Sequence, residues 1–373
     1  MIPALFLAAL QKTTVPIDVI QEPGSEIRFE AVVLLPKDLA PEDRAMLPVL
    51  AAAMQNATDD FPPTVISALT GGRPVNVEAM PDHLRISFGV AANAETAGLD
   101  LLSSILQRPL LREGAITKPP TGFYAGVLGQ PCVTSKVPAE ELKLLYGTVV
   151  RPERARIAVV GPASKEVAAK LSMRLTDWPI PPRVNPYRRR PKFETERPDG
   201  TFLVLQSPPI AYGSSDLPAR LIAWAAVGVG KGSALFHVAR ETMGMSYRQE
   251  AFLVPTDAGL IPTIAIATDH PDPEGLKKGI LEDIEGWSEV DIARAKGLLR
   301  SNAETGLPLS PLLFSLDGPP SAEAADRAFL AAYWRLRTGK PWNPLYWATD
   351  VSLDDVKKAA KESIEQARER QAP

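Results

Sequence analysis

At 373 residues the chain is long enough for two domains of ordinary size, each able to bury its own core. Hydrophobic residues make up 45% and charged residues 23%, with a formal net charge of -3, the balance of a globular protein without a general attraction for polyanions, so nucleic acid is excluded as a general partner. A single cysteine, Cys132, rules out an intrachain disulfide and a thiolate-rich zinc site, and no histidine lies near it in sequence to activate it.

The segment Met1 to Leu10 is apolar like the middle of a secretory signal, yet it has no Lys or Arg before it and no clear small-x-small cleavage site. Residues 1–12 are therefore read as signal-like, with export to the periplasm and retention in the cytoplasm both open. No other stretch approaches the length needed to span a bilayer.

Apolar alternation over Ile27, Phe29, Val32 and Leu34, with one break, predicts a strand closed by Pro36. Leu47, Leu50, Ala51 and Met54 fall at i, i+3, i+4 and i+7 and predict a helix with a narrow apolar stripe. His83 to Phe88 alternates, with Leu84, Ile86 and Phe88 on one face, and reads as a half-buried strand with His83 on its polar side. Glu95 to Leu106 reads as a helix, and Arg156 to Gly161 as a strand running into a helix over Lys165 to Leu175. Between Leu111 and Arg156 the proline-rich text leaves little room for a helix pair.

From Ile180 to Gly200 the pattern dissolves into prolines and charge, including Arg188-Arg189-Arg190, and is read as a solvated linker. Thr201 to Leu205 predicts a strand, Leu217 to Val227 a helix, and a further helix ends near Arg240. Gly259 to Ala267 predicts a buried strand. Asp272-Pro273-Glu274 opens a helix with a capping aspartate, and Ser288 to Asp291 and Ser352 to Asp355 are two further helix starts with capping-box-like spacing. Both halves run strand, helix, strand, helix, which predicts a duplicated α+β unit: two antiparallel-rich sheets, each covered by helices on one face. The boundaries are residues 13–181 for the N-terminal unit, 182–198 for the linker and 199–369 for the C-terminal unit.

The stretch from Val227 to Tyr247 (Val-Gly-Val-Gly-Lys-Gly-Ser-Ala-Leu-Phe-His-Val-Ala-Arg-Glu-Thr-Met-Gly-Met-Ser-Tyr) resembles the insulinase/pitrilysin metallopeptidases: a glycine-serine turn, Leu-Phe, Arg-Glu, Gly, then Tyr. Ile292 to Lys296 and Val351 to Ala359 are similar to later helices of that family. In the first half, Arg151 to Gly161, the Asp177-Trp178-Pro179 ending, and Gly72 with Asn76 also match. The resemblance spans residues 15 to 369 in order and implies a processing-peptidase-like clamshell.

Active members carry an inverted His-x-x-Glu-His zinc motif on the first helix. The positions that match it here are Val49, Ala52 and Ala53, which offer neither a metal ligand nor a general base, so no cofactor is expected. The three histidines, His83, His237 and His270, are read as surface or locally hydrogen-bonded groups, since none has a partner at ligand spacing.

The resemblance also implies a surviving pair. Arg240 and Tyr247 match an Arg and a Tyr that contact substrate carbonyls near the zinc in active members. Gly244 suits the turn that brings them together. Arg240 pairing only with a neighbouring carboxylate, and Tyr247 packing in its strand, is the bland alternative. The function implied is that of a proteolytically inactive homologue whose Arg240 and Tyr247 complete the peptide site of a zinc-bearing homologous subunit. Two alternatives stand beside it, a structural or assembly protein with the same fold and a lone peptide binder that uses the edge strand at Asn76.

Overall fold

A computed structural model describes residues 15–116, 118–162, 165–178, 191–246, 248–301, 324–341 and 350–370. In chain order the first half contributes β1 (Ile17–Gln21), β2 (Glu26–Leu34), α1 (Pro41–Asn56), α2 (Pro63–Leu69), β3 (Asn76–Ala79), β4 (His83–Ala91), α3 (Glu95–Gln107), α4 (Phe123–Leu128), β5 (Cys132–Val133), α5 (Ala139–Val149), β6 (Ala155–Gly161) and α6 (Lys165–Leu175). The second half contributes β7 (Thr195–Glu196), β8 (Phe202–Gln206), α7 (Leu217–Gly228), a π-helical turn (Phe236–Thr242), β9 (Gln249–Pro255), β10 (Leu260–Ala267), α8 (Pro273–Glu285), α9 (Glu289–Ser301), α10 (Ala324–Thr338), α11 (Leu353–Gln366) and β11 (Arg368–Glu369). Among the described residues no helix is long and apolar enough to cross a membrane.

The fold is mixed α+β. The first sheet has five strands in the order β1-β6-β2-β4-β3, all antiparallel except the parallel β1–β6 edge. Alternation assigns its faces: Phe29, Ala31, Val33, Leu84, Ile86, Ile157 and Val159 point into a core with α1, α3, α5 and α6. Phe29 stacks on Phe88 at 5.1 Å between ring centroids, a contact that ties β2 to β4. The second sheet runs β11-β8-β10-β9, wholly antiparallel, and Leu203, Leu205, Leu253, Ile264 and Ile266 face α7, α8, α9 and α11. The expected caps are present: Asp272 Oδ1 accepts from the Gly275 amide at 2.9 Å, and Ser352 Oγ accepts from the Asp355 amide at 3.2 Å.

The other face of each sheet is covered as well, contrary to the one-faced arrangement expected from sequence. On the first sheet, α10 lays Ala328, Phe329, Ala332 and Tyr333 over Val32, Ala158 and Val160. On the second, α4 lays Phe123, Tyr124, Val127 and Leu128 over Val204, Phe252, Val254 and Ala265. Part of the segment read as linker also pairs, since β7 forms an antiparallel ladder with β5. Arg188-Arg189-Arg190 lies outside the described residues.

Helix α10 converts the polar stripe of the first sheet into a buried ion network. Arg85 donates from Nε to Glu30 at 3.0 Å and from its terminal nitrogen to Asp326 of α10 at 2.6 Å, while Ser87 donates to Glu30 at 2.6 Å. Its guanidinium lies 4.8 Å from the Phe329 ring centroid. Arg156 forks onto both oxygens of Asp18, which also accepts from Arg335 of α10.

Of the two readings of His83, surface or locally hydrogen-bonded, the second holds. It is fully buried, with Nδ1 2.7 Å from Asp82 Oδ1 and its ring tilted against Phe329 and Tyr333. Tyr333 donates to Asp82 at 2.7 Å, and its oxygen lies 2.6 Å from that of Tyr212, which also reaches the Thr256 carbonyl at 2.9 Å. Arg337 closes the knot by bonding both Asp82 of the first half and Asp257 of the second, the latter at 3.0 Å.

Burial raises the carboxyl of Glu30, and Arg85 and Ser87 only partly offset it. For Asp82 burial is outweighed: His83, Arg337 and Tyr333 together hold its carboxyl below the usual carboxylate range. Asp82 therefore contributes stability above its unfolded pKa, lost as pH falls through its lowered folded value, whereas ionised Glu30 lowers stability as pH rises through its raised value. Arg337→Ala leaves Asp82 buried without its cation and should cost about 3–5 kcal/mol. Denaturant unfolding at neutral pH measures it, and the acid-side loss of stability assigned to Asp82 should flatten in the variant.

Candidate functional site

Helix α1 starts with Pro41 in its first turn and Glu42 and Asp43 at the positive end of its dipole. Val49 and Ala53, four residues apart, share one face. Val49 is sealed: a Cβ on Gly114 would lie 3.3 Å from Val49 Cγ1 and 3.6 Å from Leu142 Cδ1, so the chain at Gly114 packs between α1 and α5. Ala52 and Ala53 are half-buried and line a cleft of about 470 Å³ together with Asn56, Asp59, Arg112 and Glu113. Among the described residues no three His, Cys, Asp or Glu side chains gather as a metal site.

The segment between Leu111 and Arg156 is not bare of helices, as the sequence suggested, but holds α4 and α5. Helix α5 shares the core with α1, Leu142 and Val49 both being buried in it. At Val49, Ala52 and Ala53 the wall of the cleft is aliphatic.

Asn76 is exposed and opens β3, the outer strand of the first sheet. The Met80 amide bonds the His83 carbonyl, so antiparallel alternation turns the amides of Val77 and Ala79 toward the open edge. There Gln55 of α1 accepts from the Val77 amide at 3.4 Å, so the strand edge is partly capped from within the chain.

Arg240 is exposed on the π-helical turn, where the Met243 amide bonds the Val238 carbonyl five residues back. Its guanidinium lies 5.3 Å from the Phe236 ring centroid. Gly244, at φ 62°, ends the turn in the left-handed region, as the sequence suggested. Tyr247 lies outside the described residues. The strand after it begins at Gln249 and meets α4: the Arg248 guanidinium sits 4.2 Å from the Phe123 centroid, and Tyr124 donates to Glu250 at 2.5 Å. Burial first, then Glu250, pushes the Tyr124 hydroxyl well above its ordinary range, so it stays a donor at any ordinary pH.

Sequence reasoning missed one partnership on this surface. His237 Nδ1 lies 3.4 Å from Asp283 of α8, whose other oxygen accepts from Trp287 Nε1 at 3.0 Å. Asp283 and Trp287 stand four apart on one predicted helical stretch, a spacing that could have flagged the pair but not its link to His237.

No protein-family model matches the chain, and no curated protein does. Solved structures do match it over nearly its whole length. A peptidase M16 inactive domain from Pseudomonas fluorescens aligns at a TM-score of 0.66 and 14% identity, covering 95% of this chain and 94% of its own. A protease from Helicobacter pylori aligns at 0.65 and 12%, covering 94% and 95%, and a conserved protein from Enterococcus faecalis at 0.59 and 16%, covering 93% and 94%. At such identities the shared property is the fold. Over about 95% of its length this chain shares the mixed α+β fold of a peptidase M16 inactive domain.

Zinc needs three protein donors, and hydrolysis needs a base beside the bound water. Val49, Ala52, Ala53 and Leu142 supply none. Metal analysis of the chelator-free protein should find less than stoichiometric zinc, and added zinc should not raise its melting temperature.

Proposed function

We propose that this protein is a proteolytically inactive M16-type homologue that serves as the non-catalytic subunit of a zinc-bearing partner peptidase, to which it lends substrate contacts. The observation that carries the reading is the aliphatic lining at Val49, Ala52 and Ala53 within a fold kept over its whole length. Loss of an entire donor set with retention of the scaffold fits a chain whose surfaces matter more than its chemistry. In the same reading residues 13–181 and 199–369 form the two clamshell units joined by 182–198, consistent with two separate cores behind two sheets.

Arg240 and Tyr247 are the groups assigned to the substrate. A guanidinium and a phenol aimed at one carbonyl oxygen stabilise the negative charge that develops there when the partner's zinc-bound water attacks. Exposure of Arg240 on the π-helical turn supports the assignment. The lone peptide-binder reading is weaker, since Gln55 already takes the outward amide of Val77 on the strand that a peptide would extend.

Removing one donor aimed at a developing oxyanion costs about 3 kcal/mol of transition-state stabilisation, on the order of a hundredfold in rate. Tyr247→Phe should slow peptide hydrolysis by the reconstituted pair by that factor while leaving this chain's melting temperature unchanged. Arg240→Ala should act in the same direction. A loss of stability with no kinetic effect in the complex would assign both residues to the fold alone.

A further inference from the structure

Each sheet has one face covered by helices of its own half and the other by a helix from the opposite half. Helix α4 leaves the first half to cover the second sheet, where its approach is close: a Cβ on Gly126 would lie 2.5 Å from Phe202 Cε2. The far end of the chain then holds α4 in place. The Arg370 amide bonds the Val204 carbonyl at 2.9 Å, and its guanidinium donates to the Val127 carbonyl at 3.1 Å and to that of Leu128, closing the negative end of the helix. In return α10 leaves the second half to cover the first sheet, with Phe329 and Tyr333 fully buried there while its Trp334 packs into the second core.

We infer that α4 and α10 are reciprocal straps that fuse the two sheet units into one cooperative folding unit with a fixed mutual orientation, so that the chain does not open and close about the segment joining its halves. Opening would strip two apolar sheet faces at once. It would also part Asp82 from Asp257, which Arg337 joins, and leave one of the two carboxylates without that cation. Relative motion of two domains is the default unless the contact between them is extensive. Here the second face of each sheet is covered by a helix from the other half.

The test is hydrogen exchange of the full-length protein in graded urea, read by mass spectrometry on peptides from β2 and β6 and from β8 and β10. In the wild-type protein both sets should lose protection at the same urea concentration. Phe329→Ala removes a ring buried against the first sheet and should lower protection in both sets by the same factor, on the order of a hundredfold. Phe123→Ala on α4 should do the same from the other side. Separate wild-type transitions would overturn the inference, as would loss of protection confined to the sheet that each variant touches; the wild-type measurement decides even if a variant fails to fold.

Discussion

The face of the first sheet that carries Glu30, Arg85 and His83 cannot face an apolar helix unless that helix brings charges of its own, and this requirement shapes the molecule. Helix α10 meets it with Asp326 for Arg85, Arg335 for Asp18 and Arg337 for Asp82. Each charge taken out of water costs several kcal/mol unless paired, so the pairing fixes which helix may sit there and in what register. A helix of equal hydrophobicity without those charges deprives Arg85 of Asp326 and Asp82 of its guanidinium. The network adds specificity to a surface whose apolar part is small, chiefly Val32, Ala158 and Val160.

The arrangement leaves α1 and the π-helical turn on the periphery of a stiff frame. Residues at Ala52 and Ala53 line an open cleft, and Arg240 projects from a turn whose one extra residue is accommodated without breaking the chain's path into β9. A frame of this kind presents fixed groups to another protein at little entropic cost, since the backbone around them is already ordered. That suits the role of a subunit that positions a peptide for chemistry performed elsewhere.

Much of this was legible in the sequence. The stripe of Leu47, Leu50, Ala51 and Met54 placed α1, alternation placed β2 and β4, and the side-chain caps at Asp272 and Ser352 placed two helices, because local periodicity and capping are written within a few residues. The burial of His83 was missed for the opposite reason. Alternation from His83 to Ser87 truthfully marks a polar face, but what covers that face comes from α10, some 240 residues along the chain, and no local pattern encodes the meeting. Helix α10 itself shows the helical spacing of Phe329, Tyr333 and Arg337. Prolines between Leu111 and Arg156 hid α4 and α5, which fit between them: Pro138 precedes α5 at its cap, where a missing amide costs nothing. The bond of Gln55 to the β3 edge depends on a rotamer and leaves no trace in the sequence.

The account rests on this chain acting with a catalytic homologue, and the measurement that bears on it most directly is purification of the tagged full-length protein from its native source, with identification of whatever is bound in stoichiometric amount. The expected result is a second chain that carries the inverted His-x-x-Glu-His motif, with zinc and peptidase activity in the complex and neither in this chain alone. Recovery of this chain by itself, or peptide hydrolysis and stoichiometric zinc in the isolated chain, would contradict it.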